Sequence, residues 1–340
     1  KLVGDAQTIK DALTGITGYL GALWVNDAKD SVVSASLLKD LKNLSSGSKR
    51  ITQAITIKGV AADIKTSVEA ITRNMQGVSV TFDDAHDLSD LKAISSWVSN
   101  NESGSTGTIT FKDDAVALSG TTASIKTALT DVSGYKGTIE LTDNAGVTIQ
   151  ASDVKFLDSS SSGKVTIKNQ VKLKGASADV NTVLTSAGVA NDGHANIQLD
   201  DAHDLPQLKA INDATNGSIT FNDDSVKLSG SVADVGAALA GVTGYTGEID
   251  LTDAAGDLSA TSITAIADAT NKTPVITKTP NIKGNAADVV TALGKITNTG
   301  NANIKLDDPH NLTQLKTINN ATAGSITFND ASVKLSGSVV

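Results

Sequence analysis

A glycine recurs along this chain on a near-constant beat, each time closing a hydrophobic–x–hydrophobic–x–Gly phrase and opening an Ala-rich segment. The positions are Gly4, Gly59, Gly120, Gly175, Gly230, Gly284 and Gly337, with gaps of 55, 61, 55, 55, 54 and 53 residues. Self-similarity at a fixed period restricts a fold more than composition does, because each repeat must bury its apolar face against the next. Alternate beats differ. One class reads GTITFKDDAVALSG (107–120), GSITFNDDSVKLSG (217–230) and GSITFNDASVKLSG (324–337); the other reads KVTIKNQVKLKG (164–175). The full unit is therefore about 110 residues, made of four coils of roughly 22–30 residues each.

Each coil reads as strand, turn and helix. ITF, IEL, VTI, IQL, IDL and IKL alternate apolar and polar residues, the pattern of a half-buried strand. In SVADVGAALAGV, Val232, Val235, Leu239 and Val242 fall on one helical face. Strands separated by helices pair in parallel after a crossover. The expected fold is an α/β solenoid of about twelve strand-turn-helix coils, with a parallel β-sheet on one side and short helices on the other. VKLSG is expected to add a second short strand in the Gly-marked coils. The expected organisation is one continuous solenoid over 1–340. Its units run approximately over 1–106 with a partial first coil, 107–216, 217–323 and a partial 324–340. Lys1 aligns with Lys334, three units on, so the chain is expected to continue at both ends or to stack head-to-tail.

Composition narrows the function. Aromatic residues make up 3% and cysteine is absent, which excludes disulfides and thiolate metal sites. A net charge of −9 argues against nucleic acid and anionic membranes. No apolar run is long enough to span a bilayer.

Two patterns could carry chemistry. The first is DDAHDL at 83–88 and 200–205, with DDPHNL at 307–312; these phrases hold three of the four histidines. Asp87, Asp204 and Asn311 stand at the N-cap position of a short apolar stripe, with Asp90, Gln207 and Gln314 three residues later, so helix capping explains the phrase. Ser231 with Asp234 and Asn285 with Asp288 repeat the logic. The copies lie four coils apart, about 19 Å at ~4.8 Å per strand, and cannot share one metal ion. The second pattern is the acidic strand ends: Asp83, Asp84, Asp113, Asp114, Asp200, Asp201, Asp223, Asp224, Asp307 and Asp308. Turn chemistry accounts for them, and Ca²⁺ is the alternative ligand. No nucleotide loop, nucleophile elbow or catalytic constellation is present. A catalytic site would break the repeat, and the irregular coils near Trp24 and near 97–107 read as lengthened loops.

Phrases such as SVADVGAALAGVTGYTGEIDLTDAAG and NIKLDDPHNLTQLKTINNAT resemble the repeats of giant cell-surface proteins of Gram-negative bacteria, cyanobacteria included. That resemblance, which covers essentially the whole chain, implies an extracellular or cell-surface location and a coat, filament, adhesin or motility role. IxLxDxxxLxxLxxI also resembles leucine-rich repeats, without their fixed Asn/Cys position. The expected function is a non-catalytic structural segment of an extracellular filament, surface layer or adhesin stalk, partnered by itself head-to-tail or laterally. A carbohydrate- or Ca²⁺-binding surface module, with surface glycans as partners, is the alternative. A polysaccharide-active solenoid enzyme is the third reading. No cofactor other than Ca²⁺ is implied.

Overall fold

The structure is a computed structural model of residues 1–340, and it describes residues 1–74, 77–99, 107–113, 115–130, 132 and 134–329. The Ca²⁺ candidate Asp114, the beat glycine Gly337, Lys334 and the part of the last repeat from 330 onward lie outside the described residues. The fold is a solenoid-like α/β repeat. Among the described residues, twelve short helices alternate with twenty-four short strands, and the strand pairs are parallel. The chain divides into two compact units: 1–169 with 187–193, and 170–186 with 194–340.

The alternation of strand and helix follows the local apolar pattern. In strand Ile139–Leu141 the outer residues are buried and Glu140 is half-buried; Val165–Ile167 repeats this in register beside it. Helices run from seven residues (Val232–Ala238) to twelve (Leu88–Ser99) and bury one apolar stripe each. Val232, Val235 and Leu239 are buried as the periodicity predicts, but the helix closes at Ala238, and Val242 is buried from the following turn. Segments this short are marginal helices alone, so packing against the neighbouring coil supplies their stability.

The sheet arrangement is richer than one strand per coil. A second strand follows the first in the other coils as well as the Gly-marked ones: Leu23–Val25 is followed by Val32–Ser34, and Ile249–Leu251 by Asp257–Ser259. The ladders run as four-stranded blocks. In the first unit, Leu2–Gly4, Leu23–Val25, Lys49–Ile51 and Arg73–Asn74 form one, and Val32–Ser34, Thr56–Gly59, Ser79–Phe82 and Ile109–Phe111 form another. One coil in each repeat hands the chain from block to block. In the second unit, strand Ile219–Phe221 pairs backward with Asn196–Leu199. The next strand of that coil, Leu228–Gly230, pairs forward with Ile249–Leu251. The first unit makes the same step, Ile109–Phe111 with Ser79–Phe82 and Leu118–Gly120 with Ile139–Leu141.

The beat glycines are not conformational corners. None of Gly59, Gly120, Gly230 and Gly284 has a positive φ. They end strands close against the neighbouring coil: a Cβ on Gly59 would sit 2.7 Å from Ala35 Cβ and one on Gly284 3.2 Å from Ala260 Cβ, while on Gly120 and Gly230 it would press on the tips of Leu88 and Leu205. Close coil-to-coil approach, rather than a tight turn, is what keeps the position glycine.

Candidate functional site

The repeated histidine phrase builds the most chemically distinctive places in the molecule, and they sit at the block-to-block step. In the second unit, strand Asn196–Leu199 ends at Asp200, and the turn Asp201–Asp204 carries His203 inward before helix Leu205–Asp213 begins. His203 is 4% exposed. Its ring lies 4.9 Å from Phe221 and 5.8 Å from Tyr245, centroid to centroid. His86 repeats this with Phe111 at 4.7 Å, Phe82 at 5.2 Å and Tyr135 at 5.8 Å. His310 is buried and stacks on Phe328 at 4.6 Å.

Hydrogen bonding fixes the tautomer. Tyr245 Oη has one proton, and the Val226 carbonyl 2.7 Å away accepts it. The 2.9 Å contact between Tyr245 Oη and His203 Nε2 is then donated by the imidazole. Nδ1 is left as the lone-pair nitrogen, buried without a hydrogen-bond partner; His86 and His310 have the same buried Nδ1. In the first unit Tyr135 Oη serves Val116 O at 2.5 Å and His86 Nε2 at 3.2 Å. Burial pushes the imidazoles of His86 and His203 below the usual histidine value. It prevails over the opposing pull of Asp113, Asp84, Asp90 and Asp87 on His86, and of Asp223, of Asp201 through both its carboxylate and its main chain, and of Asp204 on His203. The same burial raises the Tyr245 phenol well above its usual range. The cluster is thus a neutral, ring-packed joint with one polar tie spanning successive coils.

The capping residues are placed at helix starts. Asp204 Oδ1 accepts from Gln207 N at 2.7 Å while the Gln207 side chain accepts from Asp204 N, a reciprocal capping box; Asn311 and Gln314 form another. Asp87 Oδ1 accepts from Asp90 N at 2.7 Å. Ser231 and Asn285 accept from the N–H groups of Asp234 and Asp288.

The acidic strand ends divide by task. The second Asp of the 83–84, 200–201 and 307–308 pairs, and its counterpart in alternate coils, reaches back one coil and accepts from the first N–H of the preceding helix. Asp84 accepts from Ala61, Asp201 from Ser177 and Asp308 from Ala286, at 2.6–2.8 Å. Asp27, Asp143 and Asp253 do the same for Ala6, Thr122 and Val232. The first Asp of those three pairs faces a lysine of the preceding coil: Asp83 with Lys58, Asp200 with Lys174 and Asp307 with Lys283, at 3.5–3.7 Å. Asp113 and Asp223 accept from N–H groups two residues on, as Asx turns, and Asp224 accepts from Thr246 Oγ1. Among the described residues no three His, Asp or Glu side chains gather as a metal cage. His194, the fourth histidine, is an exposed turn residue at φ 48°.

Sequence reasoning missed the tyrosine and phenylalanine partners. The signal was their rarity: Phe82, Phe111, Phe221 and Phe328 are four of five phenylalanines, and Tyr135 and Tyr245 are two of three tyrosines, all at recurring positions. Also missed was Lys49, which stands at an inward strand position where Val165 stands one repeat later. Its ammonium donates to the carbonyls of Ser45 (2.7 Å) and Gly47 (3.0 Å), and burial lowers its pKa.

No protein-family model matches the chain, and no curated protein matches it. Among solved structures, a plant peptide hormone receptor, RGFR1 in complex with RGF2, is similar at 12% identity with a TM-score of 0.19. The similarity covers 98% of this chain and 62% of that chain, so this chain spans less than two thirds of the receptor's length.

Proposed function

We propose that the chain is a non-catalytic structural segment of an extracellular filament, surface layer or adhesin stalk, a repeat scaffold whose reach scales with coil number. One observation carries the reading: the residues that looked most like chemistry are used, copy after copy, to fasten one coil to the next. Among the described residues, six aspartates cap the helix of the preceding coil. This use also weighs against Ca²⁺ as a structural ion, since those carboxylate oxygens already accept main-chain N–H groups. Lysine–aspartate pairs run between successive helices, Lys10–Asp40, Lys39–Asp63, Lys65–Asp90 and Lys209–Asp234, at 2.6–3.0 Å. Each is half-exposed and worth little singly, and together they add to the contacts between neighbouring helices.

Electron microscopy of native surface material, with an antibody raised against this chain, tests the proposal. Decorated rods, fibres or a regular layer are expected. Label confined to dispersed monomers would contradict it.

A further inference from the structure

Two furrows on the helical surface are copies of each other except in charge. In the first unit, helices Leu88–Ser99 and Thr122–Leu129 pack side by side and leave a furrow of about 600 Å³ between them. Half-buried Leu88 and Ala93 line it, together with Lys92, Ser96 and Ser124. In the second unit, helices Leu205–Asp213 and Val232–Ala238 leave the corresponding furrow, about 390 Å³. Its residues at the same repeat positions are Leu205, Ala210, Lys209, Asp213 and Asp234. The apolar pair and the lysine are kept, and the two serines have become aspartates. That exchange reverses the sign. Lys209 is paired with Asp234 at 2.8 Å and also feels the charge of Asp213, so one lysine stands against two carboxylates. Ser96 and Ser124 offer Lys92 no carboxylate, and Lys92 makes no ion pair among the described residues. The first furrow therefore carries one positive charge in excess and the second one negative. Lys92 and Asp213 are both exposed.

We infer that these furrows are the two halves of a lateral contact between copies of this chain, the Lys92 furrow of one copy packing against the Asp213 furrow of a second. Each half presents half-buried apolar surface that a facing helix can cover, Leu88 with Ala93 on one and Leu205 with Ala210 on the other. Charge then selects the pairing. A furrow set against its own kind brings like charges together, whereas the cross-pairing brings a lysine to an aspartate. A single ion pair at a rim is weak, and repetition along an array of coils multiplies it. The inference rests on the scaffold reading above and names its lateral partner. Rods that form without lateral contact leave that reading standing while this one fails.

Sedimentation velocity of the whole chain at low salt is the test. Association that grows with protein concentration and weakens as salt rises is expected. Lys92→Glu and Asp213→Lys should each weaken it about tenfold, because each loses an attraction at the rim and gains a repulsion of similar size. The double variant exchanges the two signs and should regain the parent's affinity. Circular dichroism verifies the fold, and if Lys92→Glu disturbs its helix, Lys92→Gln should weaken association in the same direction. Three results would each overturn the assignment: a parent chain that stays monomeric up to millimolar concentration, folded single variants that associate as the parent does, or a double variant that does not recover.

Discussion

The imidazole of His203 is buried among Phe221 and Tyr245 and tied to the Tyr245 hydroxyl, and burial favours the neutral ring. Because burial places the folded pKa of His86 and His203 below the usual value near 6.5, the unfolded chain takes up these protons first. Stability from these sites is fully present above about pH 6.5 and is lost as pH falls through the folded value. Urea midpoints measured at pH 7.5 and pH 5 should drop at the lower pH, and the drop should shrink in a His86→Phe, His203→Phe double variant. Tyr245→Phe should cost about 1–3 kcal/mol, since it strands the His203 Nε2–H and removes the donor to Val226 O. Gly247 follows the same tyrosine, and a Cβ there would overlap the Val226 carbonyl oxygen. Gly247→Ala should therefore destabilise by about 3 kcal/mol, read as a lowered melting temperature. The helix caps were legible at this scale because capping is a local grammar written within four residues. The imidazole's burial was not, because its tyrosine lies 42 residues further along.

At the scale of the element, strand and helix alternation was legible from apolar periodicity: the strand motifs fell where strands are, and all but the last turn of 232–242 is helical. The block-to-block step was not. ITF and VKLSG look like two strands of one coil, and nothing within them says that the first pairs backward and the second forward. That choice is made by what each strand finds beside it. Cross-coil capping was equally hidden, since Asp201 and the helix it serves, Ser177–Thr185, are separated by a strand and a turn. Asp201→Ala should cost about 1 kcal/mol, the size of an N-cap, with the calcium response of the melting temperature the same before and after substitution. A loss of Ca²⁺-dependent stabilisation in that variant would return the acidic strand ends to the metal reading.

For the molecule as a whole, stability in a stacked repeat is a sum of coil terms and nearest-neighbour terms. The repeated aspartates, lysines and histidine–tyrosine ties are the neighbour terms made visible, as the burial within each strand-helix coil is the coil term. The most direct test of this division is native-state hydrogen exchange on the parent chain and on Asp201→Ala. If repeated chemistry is fastening, protection should fall in helix Ser177–Thr185, one coil upstream of the substitution, while helix Leu205–Asp213 beside it stays protected. Loss of protection confined to 200–205, with Ser177–Thr185 unchanged, would contradict the account.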